Sequence, residues 1–316
     1  MNTCFACLPC FIRQALEAAQ LASADERTTE EVLRRSLRRL SELPFNKTPP
    51  HIGKEIHHIV RDLVKTADPY KELKARYNRK ALDLVPRLRK AISSSEDRFE
   101  TAVRLAVAGN IIDFGHLKSD FDISLNEVVE DTLKRSISIN RIDDLRRDIE
   151  RADRILYLAD NAGEIVFDRL LIEEIDGHRT RVVLGVRGVP IINDATLSDA
   201  RQAGLTDLVT VIGNGSDAPG TILEECDERF REEFEKADLI IAKGQGNYET
   251  LSEQRGNIYF LLKVKCSTIA LDLNCQTGDI VITKTCQTRY ENKKRPLVTD
   301  GTVHHGHPES AEKGAR

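Results

Sequence analysis

Tryptophan is absent from the 316 residues and the only methionine is Met1, neither of which bears on function. A more telling absence is that of any apolar run near the roughly 18 residues a membrane-crossing helix needs. The first residues carry no basic segment leading into a long apolar core, so no secretory signal is apparent. An excess of one charge is missing too. Lys and Arg number 47 against 51 Asp and Glu, a net charge of −4, and the broad basic field of a nucleic-acid binder is thereby excluded as the default. The best counter-candidate is RRSLRRL at 34–40, but Leu33, Leu37 and Leu40 fall on one helical face with the arginines opposite, the pattern of a solvated amphipathic helix. Seven cysteines, an odd number, fit a reducing cytoplasmic setting better than a disulfide framework. A chain this long needs no staples and has room for two domains.

Up to about residue 150 the apolar spacing is helical. Ile12, Ala15, Leu16 and Ala19 share a face, and Thr28 with Glu31 reads as the capping box of the next helix. After Pro49 and Pro50 a stripe runs through Ile52, Ile56, Ile59, Val60 and Leu63. Another follows Leu73, Tyr77 and Leu84, with Pro86 expected to kink or end it. Ser95 precedes Glu96 and Asp97 as a helix start, and Ser124 with Glu127 reads as a further capping box.

From residue 151 the period changes. Short apolar runs appear at 155–159, 181–186, 208–213, 239–244, 268–273 and 279–284, most of them separated by helix-length amphipathic stretches. Runs apolar on both faces, alternating with helices, predict an α/β fold with a mainly parallel sheet covered on both sides. The last two runs, TIALDL and DIVITK, are too close for a helical crossover and are expected to form an edge hairpin. This reading divides the chain into an all-helical domain (1–150), an α/β domain (151–298) that would bind metal and substrate, and a loose polar tail (299–316).

The first run, ILYLADNAGE (155–164), stops at Asp160 and Asn161 and turns through Gly163 into a helix beginning at Glu164. The second ends in GVRGVPIINDAT, with Asn193 and Asp194 ahead of Thr196 and Asp199. The fourth ends in KGQGNYE, with Lys243, Asn247 and Glu249. In an open sheet, ligands bind at the carboxyl ends of strands beside helix N-termini. Carboxylates and an amide there suit a hard divalent cation; a lysine and glycine-turn amides suit a phosphate. The chemistry that needs both is phosphoryl hydrolysis. The glycine-rich segment GNGSDAPGT (213–221) is a candidate substrate loop. Each motif alone is also ordinary turn and cap composition; their joint occurrence at three strand ends carries the inference.

AGNIIDFG (108–115), LADNAGE (158–164), PIINDAT (190–196), KGQGN (243–247) and YFLLKVKC (259–266) together resemble the metal-dependent damage-control phosphatases, long catalogued as a domain of unknown function. The short length and Cys-bearing N-terminus are similar to the prokaryotic branch. The resemblance covers nearly the whole chain and implies a helical domain on a Rossmann-like domain, with a divalent Mg, Mn, Co or Ni ion held by Asp160, Asn161 and Asp194. It implies catalytic roles for Asp160 and Asp194, with a metal-activated water favoured over an aspartyl nucleophile. Lys243 and Asn247 would face substrate phosphate, and Glu164, Asn110 and Asp113 lie within family motifs. The implied substrates are small phosphorylated metabolites, sugar phosphates or damaged side products, with neither nucleic acid nor membrane as partner. The competing enzyme reading is a nucleotide- or S-adenosylmethionine-binding transferase on the same sheet, against which the first strand lacks GxGxxG.

Cys4, Cys7 and Cys10 form CxxCxxC. That spacing lets thiolates face one zinc or iron centre, a soft site separate from the oxygen ligands, with Cys266, Cys275 or Cys286 as a further ligand. It would equally pack small apolar side chains at a helix start. A non-enzymatic metal sensor is the third reading that follows from it. His304, His305 and His307 lie in the tail.

Overall fold

In the computed structural model, which describes residues 1–111, 130–175 and 181–285 with the side chains of residues 110 and 111 excepted, the N-terminal periodicity becomes a stack of helices. These are α1 (Leu8–Leu21), α2 (Glu26–Ser41), α3 (Pro49–Val64), α4 (Lys71–Ser93) and α5 (Arg98–Ile111). The start of α2 differs from expectation: Asp25, not Thr28, is the cap, accepting the Thr28 backbone N–H at 2.7 Å. A carboxylate at that position satisfies an orphan donor and matches the helix dipole. The buried stripe of α2 is Val32, Ser36 and Leu40, whereas Leu37 is 55 % exposed, so the arginine-rich segment turns a narrower face inward than its leucines implied. Helix α4 continues through Pro86 instead of ending there. Tyr77, Ala81, Val85, Leu88 and Ile92 bury one face on both sides of the proline, and that packing outweighs the local penalty of roughly 3 kcal/mol. The start of α5 is capped by Asp97, which accepts the Glu100 N–H, while Ser95 bonds Thr101 instead. Ser124 and Glu127 lie outside the described residues, as does Asp113.

The second half alternates: β1 (Ile137–Ile139), α6 (Ile142–Arg151), β2 (Ile155–Leu158), α7 (Glu164–Glu174), β3 (Val182–Val186), α8 (Leu197–Gln202), β4 (Thr210–Gly213), α9 (Glu228–Lys236), β5 (Leu239–Lys243), α10 (Gly244–Leu251), β6 (Ile258–Lys263), α11 (Ser267–Leu273) and β7 (Ile280–Lys284). The strands form one seven-stranded sheet in the order β1-β7-β6-β5-β2-β3-β4. Every neighbouring pair is parallel except β6–β7. The mainly parallel α/β fold expected from the sequence is the one observed.

Two corrections concern the edge. TIALDL is helix α11, not a strand, so the expected hairpin of 268–273 with 279–284 does not exist. The antiparallel partner of β7 is β6, whose run IYFLLK pairs Leu261 with Ile282. A short apolar run fits a buried helix turn as well as a strand. Here Cys266 in extended conformation starts the helix and Asn274, at φ 53°, ends it.

At the sheet centre β2 lies between β3 and β5, with Leu156 opposite both Val183 and Ile240. The chain leaves β2 toward β3 and β4 and returns on the other side through β5. Strand order therefore reverses beside β2, which is where ligands bind in such sheets. Met1–Thr285 is one compact unit, and one apolar cluster runs from Ala15, Ile56 and Leu105 into Tyr157, Leu170 and Ile241. The change near residue 150 is a change of content inside that unit. Among the described residues no helix is long and apolar enough to cross a membrane.

His57 on α3 is buried near the Tyr70 ring, and its Nε2 has no hydrogen-bond partner among the described residues. Burial, with Arg61 and His58 adding to it, holds its pKa down to about 3 from 6.5. The unfolded chain binds this proton at higher pH than the folded one, so stability falls as pH drops below 6.5 and keeps falling toward 3. Substitution His57→Leu is expected to recover about 2 kcal/mol of acid-induced loss near pH 4.5, read as a smaller drop in urea midpoint between pH 7 and 4.5 than in the parent. Parallel pH curves for parent and variant would show that His57 is protonated in place.

Candidate active site

The loops leaving β2 and β3 are zipped together. Ala195 N–H donates to the Asp160 carbonyl at 2.8 Å, Ala162 N–H donates to the Asn193 carbonyl at 2.9 Å, and Asn161 bridges Asp194. These bonds put Asp160, Asn161 and Asp194 side by side, as the shared sheet edge requires. Thr196 and Asp199 form the capping box of α8 and fix the far end of the second loop. Asn161 Nδ2 donates to Asp160 Oδ2 (2.7 Å) and Glu164 Oε2 (3.1 Å), which turns the amide oxygen the other way.

The strand-end turn after β5 closes on the same point. Gly244 sits at φ 75°, and a Cβ there would lie 1.8 Å from Asp160 Oδ2. No side chain fits between the two strand ends. Gly244→Ala is therefore expected to push Asp160 aside and to cost roughly 1–3 kcal/mol through the left-handed backbone alone. Thermal denaturation together with a turnover assay checks this; unchanged values in both would contradict the close approach.

Asn247, fully buried, donates to the Lys243 carbonyl (2.8 Å) and the Ala159 carbonyl (3.3 Å) and accepts the Thr221 hydroxyl at 2.8 Å. It ties the β5 end to the β2 end and to the 213–221 segment. That segment is strapped from the other side: Asp217 accepts from Lys54, His58 and Arg61 of α3, which together hold its carboxyl well below the usual range despite partial burial.

Lys243 is fully buried. Its ammonium donates to Glu164 (2.8 Å), Asp168 (2.6 Å) and the Ala106 carbonyl (2.8 Å), which uses all three of its N–H groups. Burial alone would discharge it, but Asp168 and Glu164 outweigh burial and hold it protonated. Asp168, which also accepts the Tyr157 hydroxyl, is raised to about 6 by burial and by Glu164, against the pull of Lys243. Glu164 thus spans two groups of residues, Asn161 on one side and Lys243 on the other. Asn110's side chain lies outside the described residues.

Three participants were not singled out from sequence. Arg187, directly after β3, is buried and donates to Asp194 (2.6 Å), and more weakly to Thr221, Ala159 and Asn247. Its strand-end position within GVRGVP was the available signal. Asp168 lies one helical turn after Glu164, on the same face of α7. Lys265, just beyond β6, is exposed, makes no ion pair among the described residues, and lies close enough to Asp160 to favour its carboxylate.

Burial drives the Asp160 pKa well above the ordinary carboxylate value, and Glu164 and Asp194 add to this; Lys265 and Arg187 offset only part. Asp194 is raised by burial and pulled back by Arg187 and by the Gly220 backbone N–H. Crowded hard oxygens of this kind fit a divalent cation, which relieves their repulsion. Among the described residues no three His, Cys, Asp or Glu side chains already stand in ligating geometry; the oxygen set here is two aspartates and an amide.

The sheet with its switch point, and a strand-end cluster of carboxylates, amide and buried cations, define the class. A family model described as the damage-control phosphatase ARMT1-like domain matches residues 3–281. An uncharacterized protein of Methanocaldococcus jannaschii is 38 % identical over 287 residues, covering 88 % of this chain and 94 % of that protein. A damage-control phosphatase of Archaeoglobus fulgidus is 36 % identical over 285 residues, covering 87 % and 96 %. The crystal structure of a DUF89 family protein from Pyrococcus horikoshii matches with a TM-score of 0.81 at 35 % identity, covering 90 % of this chain and all of that one. The chain belongs to the ARMT1-like damage-control phosphatase family.

Proposed function

We propose that this protein is a metal-dependent phosphomonoester hydrolase acting on small phosphorylated metabolites such as sugar phosphates or damaged side products. One observation carries the reading: the Asp160–Ala195 backbone bond sets Asp160, Asn161 and Asp194 beside each other at the sheet's switch point. Those three would hold the ion, chosen from magnesium, manganese, cobalt and nickel. When bound, it supplies Lewis acidity toward a phosphoryl oxygen and toward the attacking water. Arg187 orients Asp194 through the 2.6 Å bond. Gly244 leaves room for the Asp160 carboxylate, and Asn247 holds the three strand ends together.

Lys265 supplies the open cation that a phosphate needs, a role that Lys243, fully engaged with Glu164 and Asp168, fills less readily. Lys265→Met is expected to raise KM for a sugar phosphate roughly tenfold, the loss of one charge-assisted contact of about 1.4 kcal/mol, with the melting temperature unchanged. The governing experiment assays p-nitrophenyl phosphate and a panel of sugar phosphates with each of the four metals. Phosphate release that depends on added metal is expected. Release that is indifferent to chelation, or none on any ester, counts against the assignment.

A further inference from the structure

Among the described residues the helical half brings only Cys4 and Cys7 of the CxxCxxC motif together, their sulfurs 3.6 Å apart, while Cys10 sits beside the Arg13 guanidinium. Its reach to the strand ends is through a buried amide on α4. We infer that Asn78 is a positioning residue for the hydrolytic site, holding the loops of Asp160, Asn161 and Asp194 together from behind; this rests on the hydrolase reading, which gives Asn78 no role of its own. Asn78 follows Tyr77 on α4 and is fully buried. Its Oδ1 accepts the Gly163 N–H at 2.7 Å, two residues after Asn161. Its Nδ2 donates to Asp199 Oδ1 at 2.8 Å and to Gln202 Oε1 at 3.0 Å, both on α8. The other Asp199 oxygen accepts the N–H (2.8 Å) and the hydroxyl (2.7 Å) of Thr196, two residues after Asp194. One planar group thus joins the turn that carries Asp160 and Asn161 to the helix start that follows Asp194.

The bonds are of a kind that fixes position. A side-chain amide offers an acceptor and two donor hydrogens, and here the oxygen and both hydrogens are engaged. Gly163, at φ 77°, has no side chain to cap the start of α7, where backbone N–H groups lack partners within the helix; Asn78 supplies an acceptor from across the chain. Lys74, one helical turn earlier and also buried, lies 2.9 Å from Asp68 and 3.8 Å from Asp199, which sets a positive charge beside the same carboxylate. The backbone bonds Ala162 N–H to the Asn193 carbonyl and Ala195 N–H to the Asp160 carbonyl join the two loops at the front, and Asn78 joins them at the back. A group that orients the carriers of metal ligands acts on affinity without touching the ion, and its loss costs about 10–100-fold in metal affinity or activity.

The test exchanges the pair in the full chain. Asn78→Asp keeps an acceptor for Gly163 but sets a second carboxylate against Asp199; adding Asp199→Asn restores a donor between them. In Asn78→Asp the metal concentration for half-maximal phosphate release is expected to rise roughly tenfold. The Ala162 and Ala195 amides of the metal-free variant, followed by NMR, should exchange with solvent faster than in the parent. The exchanged pair should bring both quantities most of the way back. If Asn78→Asp does not fold, Asn78→Ser, too short to span both partners, is read in the same way. Parent-like exchange at both amides overturns the inference, as does an exchanged pair that recovers nothing. A folded variant that melts lower yet keeps the parent's metal constant and kcat also overturns it, since Asn78 then only holds the fold. A parent that releases no phosphate with any metal removes the hydrolase reading instead, and amide exchange in the metal-free protein still decides whether Asn78 sets the two loops.

Discussion

Asp160→Asn and Asp194→Asn, made singly, are each expected to cut metal-dependent phosphate release by about 10³-fold while leaving the circular dichroism spectrum intact. The substitution keeps the size and planar shape of each side chain, but it removes the charge that would grip a cation and turns one acceptor oxygen into an NH2 donor. The zipped loops themselves rest on backbone bonds, Ala195 N–H to the Asp160 carbonyl and Ala162 N–H to the Asn193 carbonyl, which neither substitution touches. Neutralising Asp160 also relieves its repulsion with Glu164 and Asp194, so the Asp160→Asn variant should melt no lower than its parent in the absence of metal. Added metal should raise the parent's melting temperature and leave both variants where they are. A variant that keeps its turnover and its metal-induced shift would remove the site from these two strand ends.

How much of this could be read beforehand follows from what pattern encodes. Strand ends that carry Asp160–Asn161 and Asn193–Asp194 announce themselves, since an apolar run that stops at a polar tip has a direction, and a parallel sheet gathers its tips at one edge. Thr196 and Asp199 stood out only as the start of a helix, and the structure pairs them as its capping box. Arg187 and Asp168 were harder: a buried ion pair is set by what lies across the sheet, and the local signs, a strand-end position for Arg187 and the helix turn after Glu164 for Asp168, do not by themselves tell a buried charge from a surface one. The β6 and α11 assignments failed for a third reason. IYFLLK and TIALDL are both short and apolar, and only the residues flanking TIALDL, Cys266 extended before it and Asn274 left-handed after it, decide which is helix.

Lys243→Met is the variant with the largest expected effect on stability, a loss of about 3–5 kcal/mol in urea denaturation. The ammonium is the partner of two carboxylates, Glu164 and Asp168, that are as completely buried as it is, and it also caps the Ala106 carbonyl of α5. Its removal strands both acids where water does not reach, and a methionine of similar volume cannot replace three hydrogen bonds. Combining it with Asp168→Leu should restore part of the loss, because a buried ion pair replaced at both ends by apolar groups is often neutral; the Tyr157 hydroxyl would then lack its partner, so recovery stays incomplete. The same variant separates two roles for this lysine. If Lys243 faces substrate phosphate, as the family motif implies, kcat/KM falls with stability preserved. If it is the buried counter-ion described here, stability falls first, and activity at low temperature follows only as far as Glu164 moves and lets Asn161 turn away from Asp160.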